Sequence, residues 1–183
     1  MQVSAQSGVA TEMQEEMPSR FFEWALLPPP IGSQVLMLGY PETEIAIVDD
    51  KMNIGLTFAL QIGKVCEIHP LRRDSGMITF PCFHIDKPVN HGFSGGPVFW
   101  GDKLCGIVSS GSIDNGTYAA TLWPFCLMEC EFPGLGSFGS KMTVGDLFEK
   151  RVVKSQEWPA LRPRISKRHD ENGRPYAHIE DVA

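Results

Sequence analysis

Residues 92–111 read GFSGGPVFWGDKLCGIVSSG. A serine followed by two glycines and a proline suits a sharp turn whose backbone amides point inward. Glycine reaches conformations closed to other residues and lets a bound group come close to the main chain. Pro97–Trp100 then reads as a short apolar strand, Gly101-Asp102-Lys103 as a polar turn, and Leu104–Val108 as a second apolar strand. The turn admits two readings. In one, the amides of Gly92 and Ser94 form an oxyanion hole and Ser94 is a nucleophile. In the other, it is a glycine-rich hairpin with an incidental serine. Gly92–Gly96 alone do not separate them.

The flanking sequence repeats the same rhythm. Gln34–Leu38 reads as a buried strand closed by Gly39-Tyr40-Pro41, and further short runs follow at Ile45–Val48, Leu56–Ile62, Met77–Phe80 and Thr117–Leu122. Turn residues separate most of them at the spacing of an antiparallel sandwich or barrel, and 18 glycines with 14 prolines favour that over a helical bundle. Pro28-Pro29-Pro30 forbids a helix or a central strand. One helix stands out, from about 144 to 153. Thr143 and Asp146 form a capping-box pattern, and Val144, Leu147, Phe148 and Val152 share a face. Residues 1–20 read as a flexible polar arm, and 159–183 as a disordered polar tail.

Composition removes several function classes. With 22 acidic and 16 basic residues in 183, the net charge of −6 argues against non-specific nucleic-acid binding. No apolar run reaches the length of a membrane span, and the N-terminal residues have no secretory-signal pattern. Cys66, Cys82, Cys105, Cys126 and Cys130 are an odd set without CxxC or zinc-ligand spacing. They read as buried free thiols, and a reducing, cytoplasmic compartment follows. With no P-loop, GxGxxG or metal-ligand spacing, neither cofactor nor metal is expected.

The stretch 94–111 resembles the trypsin-like (chymotrypsin-fold) serine peptidases, whose nucleophile motif is G-x-S-G-G-P. Upstream, Ile31–Pro41 resembles the segment that enters their second barrel. The resemblance covers about residues 31–125. It implies an all-β chain, with an antiparallel six-stranded Greek-key barrel over 28–158 and a C-terminal α-helix. Residues 1–27 are then an arm or a remnant of a first barrel. It also implies Ser94 as nucleophile, Gly92 and Ser94 amides as the oxyanion hole, and Ser109-Ser110-Gly111 as the edge that pairs with a polypeptide substrate. Pro88 falls where the family places the base of its primary specificity pocket, so a small or apolar side chain is the expected preference, unless a loop shift brings Asp86 there.

The departure from the family lies in the base. Family order is His, then Asp, then Ser, yet the first histidine here is His69, inside the expected second barrel. The base-bearing barrel is expected to be missing, or supplied by another segment. His91 and His84 read as a loop and a structural histidine. Glu23-Trp24-Ala25-Leu26-Leu27 carries a faint likeness to the family's Asp-containing strand. Asp49 and Asp50 read as solvated loop residues. Without a base a serine alcohol is a poor nucleophile, so the chain alone is expected to be a weak peptidase or inactive. The alternative is a non-catalytic peptide-binding module that keeps the 109–111 edge. In either case a lone second barrel would expose an apolar face and self-associate through it.

Overall fold

A computed structural model describes residues 22–48, 50–112, 116–131 and 141–180. The expected arm at 1–20 and the expected loop residue Asp49 lie outside the described residues. Short β1 (Glu23–Trp24) comes first. Six strands then build the body: β2 (Gln34–Val48), β3 (Lys51–His69), β4 (Cys82–Ile85), β5 (Pro97–Trp100), β6 (Lys103–Ser112) and β7 (Gly116–Ala120).

These six close on themselves. Around the barrel the order is β2, β3, β4, β7, β6, β5 and back to β2, with every pairing antiparallel. β5 returns beside β2 after the β2-β3-β4 run, which makes a Greek key. Closure satisfies the edges that an open sheet would leave unpaired. The interior holds Val35, Met37, Val65, Phe83, Ile85, Phe93, Val98, Cys105, Val108 and Ala119, all buried. Val35 and Met37 point inward while Leu36 and Leu38 are only half-buried, so the uniformly apolar run expected as a buried strand turns just one face to the core.

Strand lengths differ from the sequence expectation. The runs at 34–38 and 45–48 are one strand, and 51–69 is another, so β2 and β3 form a hairpin that extends beyond the barrel as a two-stranded ribbon. Gly39-Tyr40-Pro41 does not close the strand. The register shifts between Gly39 and Glu42, so Tyr40 and Pro41 together face Phe58 across a β-bulge. A bulge leaves a residue outside the ladder, where proline's missing N–H costs nothing. Met77–Phe80 is loop rather than strand. Asp74 Oδ1 accepts the amides of Gly76, Met77 and Ile78, turning the chain locally.

A second core lies outside the barrel. Leu26, Leu122, Trp123, Cys126, Val144, Phe148, Trp158, Leu161 and Ile179 pack together there. Helix α1 (Val144–Glu149) starts as expected, with a complete Thr143–Asp146 capping box, and buries Val144, Leu147 and Phe148. It stops short of 153 because Arg151 takes a left-handed φ of 58° while Val152 N–H bonds back to the Leu147 carbonyl.

The tail expected to be disordered is ordered through residue 180. After a short turn of helix α2 (Trp158–Leu161), and with a minor pair β8 (Glu129–Cys130) and β9 (Met142–Thr143) nearer the helix, the chain forms an antiparallel hairpin. Its strands are β10 (Ile165–His169) and β11 (Pro175–Ile179). Ile165, Ala177 and Ile179 anchor one side of it on the outer core, and polar residues interleaved on both sides hide the period of two in the sequence. Asp170 Oδ1 accepts from Asn172 and Arg174, and Gly173 (φ 74°) completes the turn.

Residues 22–27 are likewise no loose arm. β1 pairs in parallel with β6. Glu157 Oε2 accepts the Leu26 and Leu27 amides at 2.6 and 3.0 Å. The apolar Leu26 side chain is fully buried, which is why a two-residue strand holds.

Candidate functional site

Ser94 stands exposed on the turn between β4 and β5, at the wall of a cavity of about 420 Å³. Leu38, Gly39 and Tyr40 of β2 and Phe58 of β3 line it opposite Gly92, Gly95, Gly96 and Pro97. The turn presses against β2. A side chain at Gly92 (φ 93°) would strike the Tyr40 carbonyl, and one at Gly96 would strike the Leu38 carbonyl. Gly95 has φ 83° and open space beside it. Two glycines are therefore demanded by close backbone approach, and one by dihedral angle alone.

Backbone bonds fix the turn. Tyr40 N–H donates to the Gly92 carbonyl, Gly96 N–H to the Phe93 carbonyl, and Gly95 N–H to the Val108 carbonyl at 2.8 Å. Val108 N–H returns a bond to Gly96 O, and the Phe93 side chain below is buried in the barrel core. After these bonds, the amides of Gly92 and Ser94 have no protein acceptor among the described residues. Two free backbone donors thus flank an exposed serine at the mouth of a cavity lined mainly by apolar groups. Backbone donors without a partner are the kind of group an oxyanion requires.

The 109–111 edge is placed differently. Ser110 and Gly111 pair with Tyr118 and Thr117 of β7. On the other side of β6, strand pairing with β5 ends at Pro97–Ile107, so among the described residues the edge from 109 to 111 has no strand neighbour there. None of these three residues lines the Ser94 cavity. Ser109 lines a separate apolar cavity of about 470 Å³ with Phe80, Ile107, Thr121, Phe125 and Met128.

No hydrogen bond joins Ser94 to a histidine among the described residues. His91 is exposed. The His84 ring lies 3.1 Å from Cys66 Sγ through Nδ1 and stacks on Tyr118 at 4.4 Å. Arg73 covers that same tyrosine ring at 4.4 Å. Burial, with Glu67 and Asp86 nearby, pushes the Cys66 thiol above its ordinary range, so the Cys66–His84 contact is not an activated thiolate. His69 Nε2 lies 3.2 Å from Glu67 Oε2, near enough for an ion pair but outside hydrogen-bond geometry. His169 falls on β10 and His178 on β11.

The carboxylates are also engaged elsewhere. Glu23, the faint match to an Asp strand, pairs with Lys103 at 3.1 Å and accepts from the Gln156 amide, so it serves as a clamp on β6. Asp86 Oδ1 accepts the Lys64 amide at 2.7 Å, which ties it to β3 and away from Pro88. Tyr40 and Phe58 are not legible as cavity walls in the sequence, because the bulge that brings them together at 5.6 Å is a tertiary feature.

All five cysteines are free, with Cys82, Cys105 and Cys126 buried. Among the described residues, no three His, Cys, Asp or Glu side chains converge to hold a metal ion, and no helix is long and apolar enough to cross a membrane.

No family model and no curated protein matches the sequence. Among solved structures, the chain is similar to the Rv3671c protease of M. tuberculosis in its active form, at 21 % identity and a TM-score of 0.38. The alignment takes in 55 % of this chain and 42 % of that one, so the chain spans less than half of that protease.

Proposed function

We propose that the chain is the nucleophile-bearing barrel of a trypsin-like serine peptidase, acting on polypeptides by acyl transfer through Ser94. The observation that carries this reading is the exposed Ser94 between the unpaired Gly92 and Ser94 amides at the cavity mouth. In the proposed step, Ser94 Oγ adds to a peptide carbonyl as its proton passes to a base. The oxygen left negative is held by the two amides. The C–N bond then breaks, the amine leaves with a proton, and water hydrolyses the acyl-serine. The unpaired outer edge of β6 at Ser109–Gly111 is open to an extended peptide by strand addition. Asp86 is held by the Lys64 amide and, among the described residues, no acidic side chain lines the Ser94 cavity, which supports a preference for small or apolar side chains.

The base is the part that the described residues do not supply. Donor amides and binding without a base retain roughly 10³–10⁴-fold acceleration over water. The test is therefore labelling by a fluorophosphonate probe, with and without added imidazole. The expected result is slow labelling that speeds up with imidazole and disappears in Ser94→Ala. Absence of Ser94-dependent labelling under both conditions would overturn the reading. The second reading is a non-catalytic peptide-binding module. It requires peptide binding that survives Ser94→Ala without turnover.

A further inference from the structure

β3 carries an apolar side chain at every second position from Met52 to Ile62. Met52, Ile54, Leu56, Phe58, Leu60 and Ile62 share one face, and each is between 52 and 59 % exposed. Strand pairing places Leu36 opposite Ile62, Leu38 opposite Leu60, and Ile47 (77 % exposed) opposite Met52. Tyr40, 46 % exposed, meets Phe58 at the bulge. The alternate residues of β3 behave differently. Lys51, Asn53 and Thr57 are polar, and farther along Gly63 and Val65 turn into the barrel. No charge occurs on β3 between Met52 and Ile62.

The size of this strip decides what it is for. Ten residue steps at ~3.4 Å make it roughly 34 Å long. Eight large apolar side chains about half exposed leave on the order of 800 Å², taking ~200 Å² as the full surface of each. An ordinary monomer's largest apolar patch is ~300–600 Å², whereas a stable interface takes ~800 Å² from each partner. The strip matches the second figure.

We propose that this ribbon face is a self-association surface, on which a second copy of the chain lays its own Met52–Ile62 strip about a two-fold axis. An uncharged strip gives a differently charged partner nothing to select, while an apolar face is complementary to itself. A two-fold contact places the same patch on both copies and closes the assembly at two. Two ribbons packed face to face at ~10 Å interdigitate their side chains as the sheets of a sandwich do. The surface is independent of the serine chemistry, although Leu38, Tyr40 and Phe58 also belong to the Ser94 cavity wall.

Sedimentation velocity of the full chain across the micromolar range tests this. The expected result is a reversible monomer–dimer equilibrium, with Ile54→Glu and Leu56→Lys each raising the dissociation constant at least ~100-fold by placing a charge in the contact. Leu71→Glu, a charge on an equally exposed apolar residue outside the ribbon (65 % exposed), leaves the equilibrium unchanged. All three side chains are exposed, so circular dichroism and melting should match the parent and exclude misfolding. Ser94→Ala should sediment as the parent does, which separates this result from the serine reading. A monomer at every concentration, a dimer that persists in both ribbon variants, or an open-ended series of larger species would overturn the proposal. So would ribbon-dependent binding to phosphatidylcholine vesicles by a chain that stays monomeric.

Discussion

At the residue scale, the Gly92–Gly96 turn is specified by sterics more than by chemistry. An added Cβ at Gly96 meets two backbone carbonyls, Leu38 and Phe93, neither of which is the end of a flexible side chain. Gly96→Ala is expected to cost about 2–4 kcal/mol, and Gly95→Ala, where only the positive φ resists, about 1–2 kcal/mol. Thermal melting orders the two, and the reverse order would contradict the packing described. Asp146 carries a pH dependence of its own. The Thr143 amide and hydroxyl donate to its carboxylate and hold its pKa below the ordinary 3.8. A depressed carboxylate stabilises the folded state above its unfolded pKa, and that contribution fades as pH falls below 3.8 through the folded value. In acid titrations followed by circular dichroism, Asp146→Asn should therefore lose stability near neutrality and approach the parent at the acid end. The serine motif and this cap were both legible because each is a local pattern. Among the described residues no base is hydrogen-bonded to Ser94, and local pattern does not say where one would come from.

Elements show where local reading stops. β1 is two residues long, and nothing in its composition ensures that it forms. It is held by the Glu157 carboxylate bonded to the Leu26 and Leu27 amides, and by the buried Leu26 side chain. Leu26→Ala should cost about 2–5 kcal/mol, and Glu157→Ala about 2–3 kcal/mol from charge-assisted hydrogen bonds lost. Urea unfolding with an unchanged slope checks both values. The C-terminal hairpin follows the same logic. Its strands look polar because one side faces water, yet Ile165, Ala177 and Ile179 sit on the outer core. Arg164 donates to the Glu180 carbonyl at 2.7 Å and Arg168 pairs with Glu180 at 3.3 Å. Amide exchange over 165–169 and 175–179 is expected to be slowed relative to an unstructured chain. Rates equal to those of free peptide would show that the tail is loose after all.

For the molecule as a whole, burial separates the cysteines into two groups. Burial pushes the Cys82 thiol up to about 11 and those of Cys105 and Cys126 up to about 12, whereas Cys66 is exposed and Cys130 half-buried. Iodoacetamide near neutral pH should modify Cys66 and Cys130 in the native protein, and the other three only as the whole structure unfolds. Fast modification of Cys105 would mean that the barrel opens locally. The sequence alone determined the strand-rich class, the helix cap and the glycine-rich turn around Ser94, because each is set by neighbours a few residues apart. Only the tertiary structure decided that 34–48 and 51–69 make one long ribbon, that the polar tail is a docked hairpin, and that Glu23 and Asp86 serve the scaffold. Those outcomes depend on groups far apart in the chain. A bulge lets Pro41 remain in a strand, and Glu157 reaches back across 130 residues to Leu27. Such contacts are settled by burial in three dimensions, which a period of two or 3.6 along the chain does not encode.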